Sequence, residues 1–222
     1  MRACDKLLSC HKTSQGPVTL ARPRNGNRSV KSVSFILAPI QSLLRKYSDD
    51  QQHFHYIREA LSQAAKCVPT PTAFCVGCLL VARYPSITDS PVVLAAGYSR
   101  ELHGNTHAEA NALANARSLA IEELSHMFPS AAGQKPINID DVLMHTDVYT
   151  TLEPCSVRTS GLAPCADALV AARVPRCFIG VGEPDDFVQC EGAQKLKAAG
   201  CQVIWLKGLE DDCLAAARRG HN

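Results

Sequence analysis

Hydrophobic residues recur along the chain with two spacings, one typical of helices and one typical of buried strands. Over residues 49–66 the apolar positions come at steps of three and four, as one face of an amphipathic helix requires. Pro69 and Pro71 end this helix, and the nearly continuous apolar run at 74–82 predicts a strand buried on both faces. A neighbouring strand is expected at 92–96.

The second half of the chain continues this alternation. An Ala- and Leu-rich segment at 107–124 predicts a helix, and Thr106 followed three positions later by Glu109 is a capping-box pattern. Strands are expected at 148–152, 177–181 and 203–206, and helices at 165–172, 191–199 and 211–218. Strands that alternate with helices indicate βαβ units, so the pattern predicts a three-layer α/β domain with a largely parallel sheet.

Length and composition indicate one globular domain with modest extensions. Of the 222 residues, 46% are hydrophobic and 20% are charged, which is ordinary for a globular protein. A second large catalytic domain has no room in a chain of this length. Because no apolar run approaches the roughly 20 residues of a membrane span, we expect a soluble protein without a membrane partner.

Charge divides the chain into a basic extension, residues 1–48, and a domain, residues 49–222. The extension has nine Lys and Arg residues and a single acid, Asp5, whereas the domain has a formal charge of −6. A domain that grips nucleic acid usually presents a basic face, so no nucleic-acid partner is expected.

The extension has two possible interpretations. It is poor in acids and contains Arg and Ser, as targeting peptides do. Alternatively it is a β-hairpin, with Asn25-Gly26 as the turn and Val33, Phe35 and Leu37 on the second arm. The hairpin is favoured because alternation around an Asn-Gly pair has a specific structural cause.

Eleven cysteines, an odd number without a secretory signal, indicate a reducing compartment with thiols that are free or metal-bound. We therefore expect a cytoplasmic protein. Cys75 and Cys78 have Cys-x-x-Cys spacing, but they fall in a predicted strand. Residues three apart in a strand point to opposite faces, so core packing is expected for this pair rather than metal binding.

Three short segments carry candidate chemistry: His107-Ala108-Glu109, Pro154-Cys155 and Pro164-Cys165. All three lie at or near predicted helix starts, where the helix dipole favours a thiolate. One His and two Cys leave the fourth position of a tetrahedral Zn²⁺ open, as in catalytic sites. We therefore predict His107, Cys155 and Cys165 as zinc ligands and Glu109 as the catalytic proton acceptor and donor. The alternative for Glu109 is a structural role in the capping box with Thr106.

These segments resemble the H-x-E and paired Pro-Cys segments of zinc-dependent deaminases of the cytidine-deaminase superfamily. Within it, residues 104–109 (GNTHAE) and 150–155 (TTLEPC) are similar to the riboflavin-pathway pyrimidine deaminases of the fungal type. Nine residues separate Cys155 from Cys165, whereas nucleoside and tRNA deaminases usually have a compact Cys-x-x-Cys. The resemblance covers about residues 70–222. It implies a cytidine-deaminase-like αβα sandwich with a five-stranded mixed sheet, and a homodimer.

The activity that the resemblance implies is the hydrolytic deamination of 2,5-diamino-6-ribitylamino-4(3H)-pyrimidinone 5′-phosphate. The products are the 5-amino-6-ribitylamino-uracil 5′-phosphate and ammonia, and no organic cofactor is needed. One alternative in the same class is a nucleoside, nucleotide or tRNA adenosine deaminase. A second alternative is a zinc-stabilised module without activity.

Substrate contacts are expected from the loops that border the predicted zinc site. Arg158, Thr159 and Ser160 lie between the two cysteines and carry groups suited to phosphate oxygens. The resemblance implies that the pyrimidine ring is held near Leu152 and Glu153 and by the loop at 103–106. The predicted substrate-binding residues are Asn105, His103, Thr106, Leu152, Glu153, Arg158, Thr159 and Ser160.

Overall fold

The computed structural model describes residues 34–87, 89–131, 135–158, 161–184 and 191–221, and for residues 34–48 the backbone alone. The chain divides into two units, residues 1–42 and residues 43–222. The elements in chain order are α1 (Ser34–Ala64), β1 (Gly77–Ala82), β2 (Val92–Tyr98), α2 (Ala108–Arg117), α3 (Ile121–Met127), α4 (Ile139–Leu143), β3 (Thr146–Leu152), α5 (Cys165–Ala171), β4 (Arg176–Val181), α6 (Gly192–Ala198), β5 (Gln202–Trp205) and α7 (Glu210–Ala217).

The start of α1 corrects part of the hairpin prediction. Phe35 and Leu37 are helical, so they do not form a strand. The physical reason is that Ile36, Ile40 and Leu44 have the four-residue spacing of a helix, which competes with the short alternation around Phe35. The predicted turn at Asn25-Gly26 lies outside the described residues.

The five strands form one mixed sheet in the order β2-β1-β3-β4-β5. Strand β1 is antiparallel to β2 and to β3, whereas β3, β4 and β5 run parallel. The five-stranded mixed sheet is thus confirmed, and the largely parallel sheet expected from alternation alone is wrong. The connection at residues 83–91 is too short for the crossover that a parallel pair needs, so β1 and β2 pair antiparallel.

Helices cover both faces of this sheet. Leu79 and Val81 of β1 pack with Ile57 of α1 on one face. Leu80 of β1 belongs to a separate hydrophobic cluster on the other face, with Ala112 of α2. Every residue of β1 and β3 is buried, which confirms the expectation of a strand with no solvent-facing side at 74–82.

The single helix expected over residues 107–124 is two helices. Helix α2 ends at Arg117, and α3 begins at Ile121. The backbone N–H of Ala120 donates a hydrogen bond to Glu123 Oε2 (2.7 Å), which fixes the first turn of α3. No Gly or Pro stands at 118–120, so the sequence contains no breaker that would have indicated the division.

Each helix in the described part of the chain is either too short or too polar to cross a bilayer.

Helix α2 lies directly on strand β2 because Gly97 has no side chain. A Cβ at this position would come within 3.0 Å of the backbone of Ala112 and of Ala108. Such an approach is closer than real Cβ atoms allow, so any larger residue must push α2 away from the sheet. Gly97 therefore fixes the distance between the sheet and the helix that follows His107.

We expect Gly97→Ala to lower the free energy of unfolding by about 1–3 kcal/mol, the usual cost of overpacking. Urea denaturation followed by circular dichroism measures this change. Gly182→Ala is the matched control, since its Cβ would have its nearest neighbour at 3.8 Å and should change stability by less than about 0.5 kcal/mol. Equal unfolding free energies for the two variants would contradict the close packing.

Candidate active site

The three residues predicted as metal ligands come together at the starts of two helices. His107 is the N-cap residue of α2, Cys165 is the first residue of α5, and Cys155 lies in the loop after β3. His107 Nδ1 is 3.4 Å from Cys155 Sγ and 3.5 Å from Cys165 Sγ. All the candidate ligand atoms lie within 4.8 Å of one another.

The donor set and its spacing fit a tetrahedral Zn²⁺. Zinc–sulfur bonds of about 2.3 Å and zinc–nitrogen bonds of about 2.0 Å place tetrahedral S and N ligands roughly 3.5 Å apart. The two observed S···N separations agree with this value. Among the described residues, these three form the one group of His, Cys, Asp and Glu side chains with metal-binding geometry.

The start of helix α5 favours a thiolate at Cys155. The backbone N–H of Cys165 donates to Cys155 Sγ (3.3 Å), and the N–H of Ala166 donates to the Cys155 carbonyl (3.1 Å). A hydrogen bond from the Cys165 thiol lowers the pKa of the Cys155 thiol, burial opposes this effect, and a hydrogen bond with His107 lowers the pKa further. The interaction of Cys165 with Cys155, together with burial, raises the pKa of the Cys165 thiol. The backbone N–H of Cys165 and the His107 ring thus favour a thiolate at Cys155, the form of cysteine that binds a metal.

Glu109 is buried beside these ligands, with only 3% of its surface exposed. Its Oε1 accepts a hydrogen bond (3.0 Å) from the hydroxyl of Thr150 on β3, which shares its proton with the carbonyl of Leu152 (2.9 Å). Burial raises the pKa of the Glu109 carboxyl, Cys155 adds to the increase, and His107 opposes it. A carboxyl group in this position can accept a proton and release it again during a reaction.

The capping box expected between Thr106 and Glu109 is not formed. His107, not Thr106, is the N-cap residue of α2, and no side chain caps this end. The Thr106 hydroxyl donates to the Leu102 carbonyl (3.2 Å) and accepts from Asn111 Nδ2 (3.0 Å). Glu109 faces the core instead, because Thr150 offers it a buried hydrogen bond.

A cavity of about 350 Å³ reaches Glu109 and His107. Of the residues predicted to bind substrate, four line this cavity: Asn105, Leu152, Glu153 and Arg158. His103 is exposed and, like Thr106, is not among the described lining residues. Thr159 and Ser160 lie outside the described residues.

Two of the lining residues also join neighbouring loops. Arg158 Nη2 donates to the Asn105 carbonyl (2.6 Å), which links the loop between the cysteines to the loop before His107. Glu153 Oε1 accepts from the N–H of Ala193 (2.8 Å), which attaches the end of β3 to helix α6. Glu153 thus fixes the end of its own loop by a hydrogen bond.

Eight further residues of the cavity wall were not predicted as site residues from the sequence: Thr72, Ala73, Phe74, Val76, Ser99, Arg100, Val157 and Glu183. Phe74 and Val76 precede β1, Ser99 and Arg100 follow β2, and Glu183 follows β4. Because β1 is antiparallel to β2 and β3, its start lies at the same sheet edge as their ends. Ser99, Arg100 and Glu183 could have been predicted from the sequence, because ligands of open α/β sheets bind at the carboxyl ends of the strands.

Cys75 and Cys78 lie apart from the candidate metal ligands. Cys78 is fully buried in the hydrophobic cluster beneath α2, and Cys75 Sγ accepts a hydrogen bond from Arg100 Nη2 (3.2 Å). This arrangement agrees with the expectation that Cys75 and Cys78 do not share a metal. Near the same wall, the His221 ring stacks on Phe74 with 5.1 Å between ring centroids.

Comparison with known proteins gives several similarities. Residues 50–181 match the family model described as the cytidine and deoxycytidylate deaminase zinc-binding region. The diaminohydroxyphosphoribosylamino-pyrimidine deaminase of Schizosaccharomyces pombe is 39% identical over 169 residues, which are 76% of this chain and 36% of that protein. This chain thus spans about a third of the length of the first curated relatives that it matches.

Solved structures show the same similarity. The Aspergillus oryzae Rib2 deaminase, a C-terminal deletion mutant in complex with DARIPP, has a TM-score of 0.59 and 33% identity. This match covers 77% of this chain and 92% of that chain. Acinetobacter baumannii RibD has a TM-score of 0.54 and 26% identity, with 76% of this chain and 38% of that chain covered.

Proposed function

Because this chain belongs to the cytidine and deoxycytidylate deaminase family, we propose that it is a zinc-dependent pyrimidine deaminase of riboflavin biosynthesis. Its proposed substrate is 2,5-diamino-6-ribitylamino-4(3H)-pyrimidinone 5′-phosphate, which loses its 2-amino group as ammonia. The observation that carries this proposal is the convergence of His107, Cys155 and Cys165 beside the buried Glu109 at a cavity. The name of the S. pombe relative and the DARIPP complex of Rib2 deaminase support the substrate class.

In the proposed site, His107, Cys155 and Cys165 hold the zinc ion. Bound zinc supplies a Lewis acid that lowers the pKa of a water molecule to about 7. Glu109 accepts one proton from the attacking water, whose oxygen forms a bond to C2 of the ring. Glu109 passes this proton to the ring nitrogen of the C2=N bond. It then moves the remaining hydroxyl proton to the 2-amino nitrogen, the bond between C2 and that nitrogen breaks, ammonia leaves, and C2 becomes a carbonyl. The cavity walls position the ring so that C2 faces Glu109.

Thr150 is a positioning residue in this proposal, because its hydroxyl donates to Glu109 Oε1. We expect Thr150→Val to lower kcat about tenfold, the effect of one lost hydrogen bond to a charged group. KM and zinc content should stay near the parent values, and Thr150→Ser should restore kcat.

Thr151→Val is the matched control for this prediction. The Thr151 hydroxyl is also buried, but it accepts from the N–H of Gly77 (3.1 Å) and does not donate to Glu109. This variant should lower stability without the tenfold loss of kcat. If both variants lower kcat equally, Thr150 acts through the fold alone.

The proposed substrate contacts follow from the cavity walls and from the loops next to them. Leu152 and Glu153 would hold the ring through backbone groups at the end of β3, and Asn105 would contribute its side-chain amide. His103 and Thr106 would act through the loop that carries Asn105. Arg158, with Thr159 and Ser160 directly after it, would bind the phosphate end of the substrate through charge-assisted hydrogen bonds.

Ammonia release from a panel of substrates tests the proposed function. The panel contains the ribitylamino-pyrimidinone phosphate, the corresponding phosphoribosylamino compound, dCMP, cytidine and adenosine-containing tRNA. The proposal predicts the highest kcat/KM for the ribitylamino phosphate. Preference for dCMP, cytidine or tRNA would favour the alternative deaminases, and no turnover of any substrate by zinc-loaded protein would favour a zinc-stabilised module.

We further propose that the protein is a cytoplasmic homodimer. The eight cysteines in the described part of the chain are all free thiols, which fits a reducing compartment. The homodimer follows by analogy with the superfamily. Light scattering on the purified protein should give twice the mass of one chain, and thiol titration after isolation from the cytoplasmic fraction should find free cysteines.

A further inference from the structure

The loop between β2 and α2, residues 99–106, forms part of the wall of the candidate active-site cavity. Ser99, Arg100 and Asn105 line this cavity, and His107 follows the loop directly. The loop contains no helix and no strand, so side chains and turns have to supply the hydrogen bonds that hold its conformation. The source of these hydrogen bonds decides how firmly this part of the wall is fixed.

Strand β2 is an edge strand, with β1 as its one neighbour among the described strands. The N–H of Ser99, directly after β2, donates to the Val76 carbonyl (2.9 Å) on the side of β1. Alternate residues of an antiparallel strand direct their polar backbone groups to opposite sides. The carbonyls of Ala96 and Tyr98 therefore point away from β1, at the free edge of the sheet, and need partners other than a neighbouring strand.

Two asparagines of α2 are these partners. Asn111 Nδ2 donates to the Tyr98 carbonyl (2.8 Å), and Asn115 Nδ2 donates to the Ala96 carbonyl (2.8 Å). The asparagines are four residues apart in α2, so their side chains lie on one face of the helix. Asparagine is an unfavourable residue inside a helix, because its amide competes for backbone hydrogen bonds. A pair of asparagines that both bond to one strand thus indicates a role that requires their amide groups.

Each of these amides also bonds to the loop. Asn111 Nδ2 donates to the Thr106 hydroxyl (3.0 Å), which in turn donates to the Leu102 carbonyl (3.2 Å). Asn115 Nδ2 donates to Glu101 Oε1 (3.2 Å). A side-chain amide has two donor hydrogens, so each asparagine uses one on the edge of β2 and one on the loop. The two side chains therefore attach the loop to both the helix and the strand.

Further hydrogen bonds close the loop against the end of β2. Glu101 Oε2 accepts from the N–H of Tyr98 (3.1 Å), so this carboxylate joins the strand to Asn115. The N–H of Arg100 donates to the Thr106 carbonyl (2.7 Å), which ties the two ends of the loop together. Arg100 has a φ of +62°, in the left-handed region, and such a conformation persists only where surrounding contacts hold it.

We propose that Asn111 and Asn115 are positioning residues of the deaminase, which fix the loop at 99–106 in the conformation that binds the pyrimidine substrate. This inference rests on the proposed function and deepens it. Neither asparagine is among the described residues that line the cavity, so both act through the loop, by way of Thr106 and Glu101. Loss of either amide frees part of the wall, and a mobile wall has to be ordered when the substrate binds, which weakens binding.

The kinetics of Asn111→Leu test this role, because leucine has a similar size but no donor. We expect KM to rise about 3- to 10-fold, the effect of losing a neutral hydrogen bond. Zinc content and kcat should stay within about twofold of the parent values, because Glu109 and the zinc ligands are unchanged. The matched control is Thr146→Val, which removes a buried hydroxyl that donates to the Val142 carbonyl (2.8 Å) at the opposite end of β3 from the cavity. This control should lower stability and leave KM unchanged.

A second set of variants tests the contact between Asn115 and Glu101. Asn115→Asp places two carboxylates side by side, and their repulsion should raise KM about tenfold. Glu101→Gln alone keeps an acceptor for the N–H of Tyr98 and should change KM less than about twofold. When both substitutions are combined, the new glutamine amide donates to the new aspartate, so KM should return to within about threefold of the parent value. No rescue in the combined variant, or a fall in kcat without a rise in KM for Asn111→Leu, would overturn the proposal.

Hydrogen exchange followed by mass spectrometry separates failure of this inference from failure of the proposed function. The amides of residues 99–106 should exchange about 3- to 10-fold faster in Asn111→Leu and in Asn115→Asp than in the parent protein. Exchange in β4 should stay at the parent rate. Faster exchange in the loop, together with no turnover of the pyrimidine by the zinc-loaded parent, would support the attachment of the loop and reject the proposed substrate. Turnover by the parent, together with exchange that neither variant changes, would reject the positioning role alone.

Discussion

Replacement of Glu109 by Gln is expected to reduce kcat by about 10²–10⁴-fold, the range for loss of a general acid–base group. Glutamine has nearly the same shape as glutamate but cannot carry a proton from water to the departing amino group. Its side chain can still accept the hydrogen bond from Thr150, so the fold should remain intact. Ammonia release measures kcat, and mass spectrometry of the metal content should find as much zinc as in the parent protein.

Glu122→Gln is the control for this prediction, because Glu122 lies exposed in the first turn of α3. It should have parental turnover and zinc content. Full activity of Glu109→Gln would remove Glu109 from the mechanism. Loss of zinc from Glu109→Gln, with the fold retained, would show that Glu109 serves the metal site and not proton transfer.

Replacement of Cys165 by Ala is expected to weaken zinc binding by roughly 10²–10³-fold and to abolish turnover. A structural site with four ligands gains about 10–16 kcal/mol from zinc binding. Loss of one ligand of four should remove about one quarter of this free energy, which corresponds to the expected fold-change in affinity. The loss should extend to stability, because zinc stabilises the folded state to which it binds. Competition with a chromophoric chelator measures the affinity, and thermal unfolding with and without zinc measures the linked stability.

Cys201→Ala is the matched control, since Cys201 is also a buried free thiol but lies outside the group of candidate ligands. This variant should keep its zinc affinity and should still gain thermal stability when zinc is added. Zinc binding by Cys165→Ala that is as tight as in the parent protein would contradict the proposed ligand set.

The residues near the metal site could be selected from sequence because each lies in a short motif at a predicted helix start. His107 and Glu109 are separated by one residue, and Pro164 directly precedes Cys165. Such local patterns depend on the chemistry of the ligands and on helix geometry, which the sequence shows directly. The three-layer α/β class followed from the alternation of strands and helices in the same way, whereas the mixed sheet was implied by the family resemblance.

The residues of the cavity wall could not be selected in this way, because tertiary packing brings them together. Phe74 and Arg100 belong to segments without a motif and meet only because β1 and β2 are paired antiparallel. Thr150 was part of the segment that carried the family resemblance, yet its role depends on the side chain of Glu109, 41 residues away in sequence. The direction of the strands, rather than any local signal, decides these contacts.

Local patterns also failed where two of them competed. The short alternation at Phe35 and Leu37 suggested a strand, but this segment continues into the helix that ends at Ala64. At Thr106 and Glu109 a capping-box spacing was present, yet burial of the carboxylate against Thr150 took precedence. In both places a longer-range interaction or a longer periodic pattern outweighs a motif of a few residues.

X-ray absorption at the zinc edge tests the central claim most directly, because it reports the ligands of the metal in the purified protein. With His107, Cys155 and Cys165 as the protein ligands, the spectrum should fit two sulfur ligands at about 2.3 Å and two lighter ligands at about 2.0 Å. In the Cys165→Ala variant, reconstituted with excess zinc, one of the sulfur ligands should be lost. A parent spectrum with three or four sulfur ligands, or with none, would contradict the account.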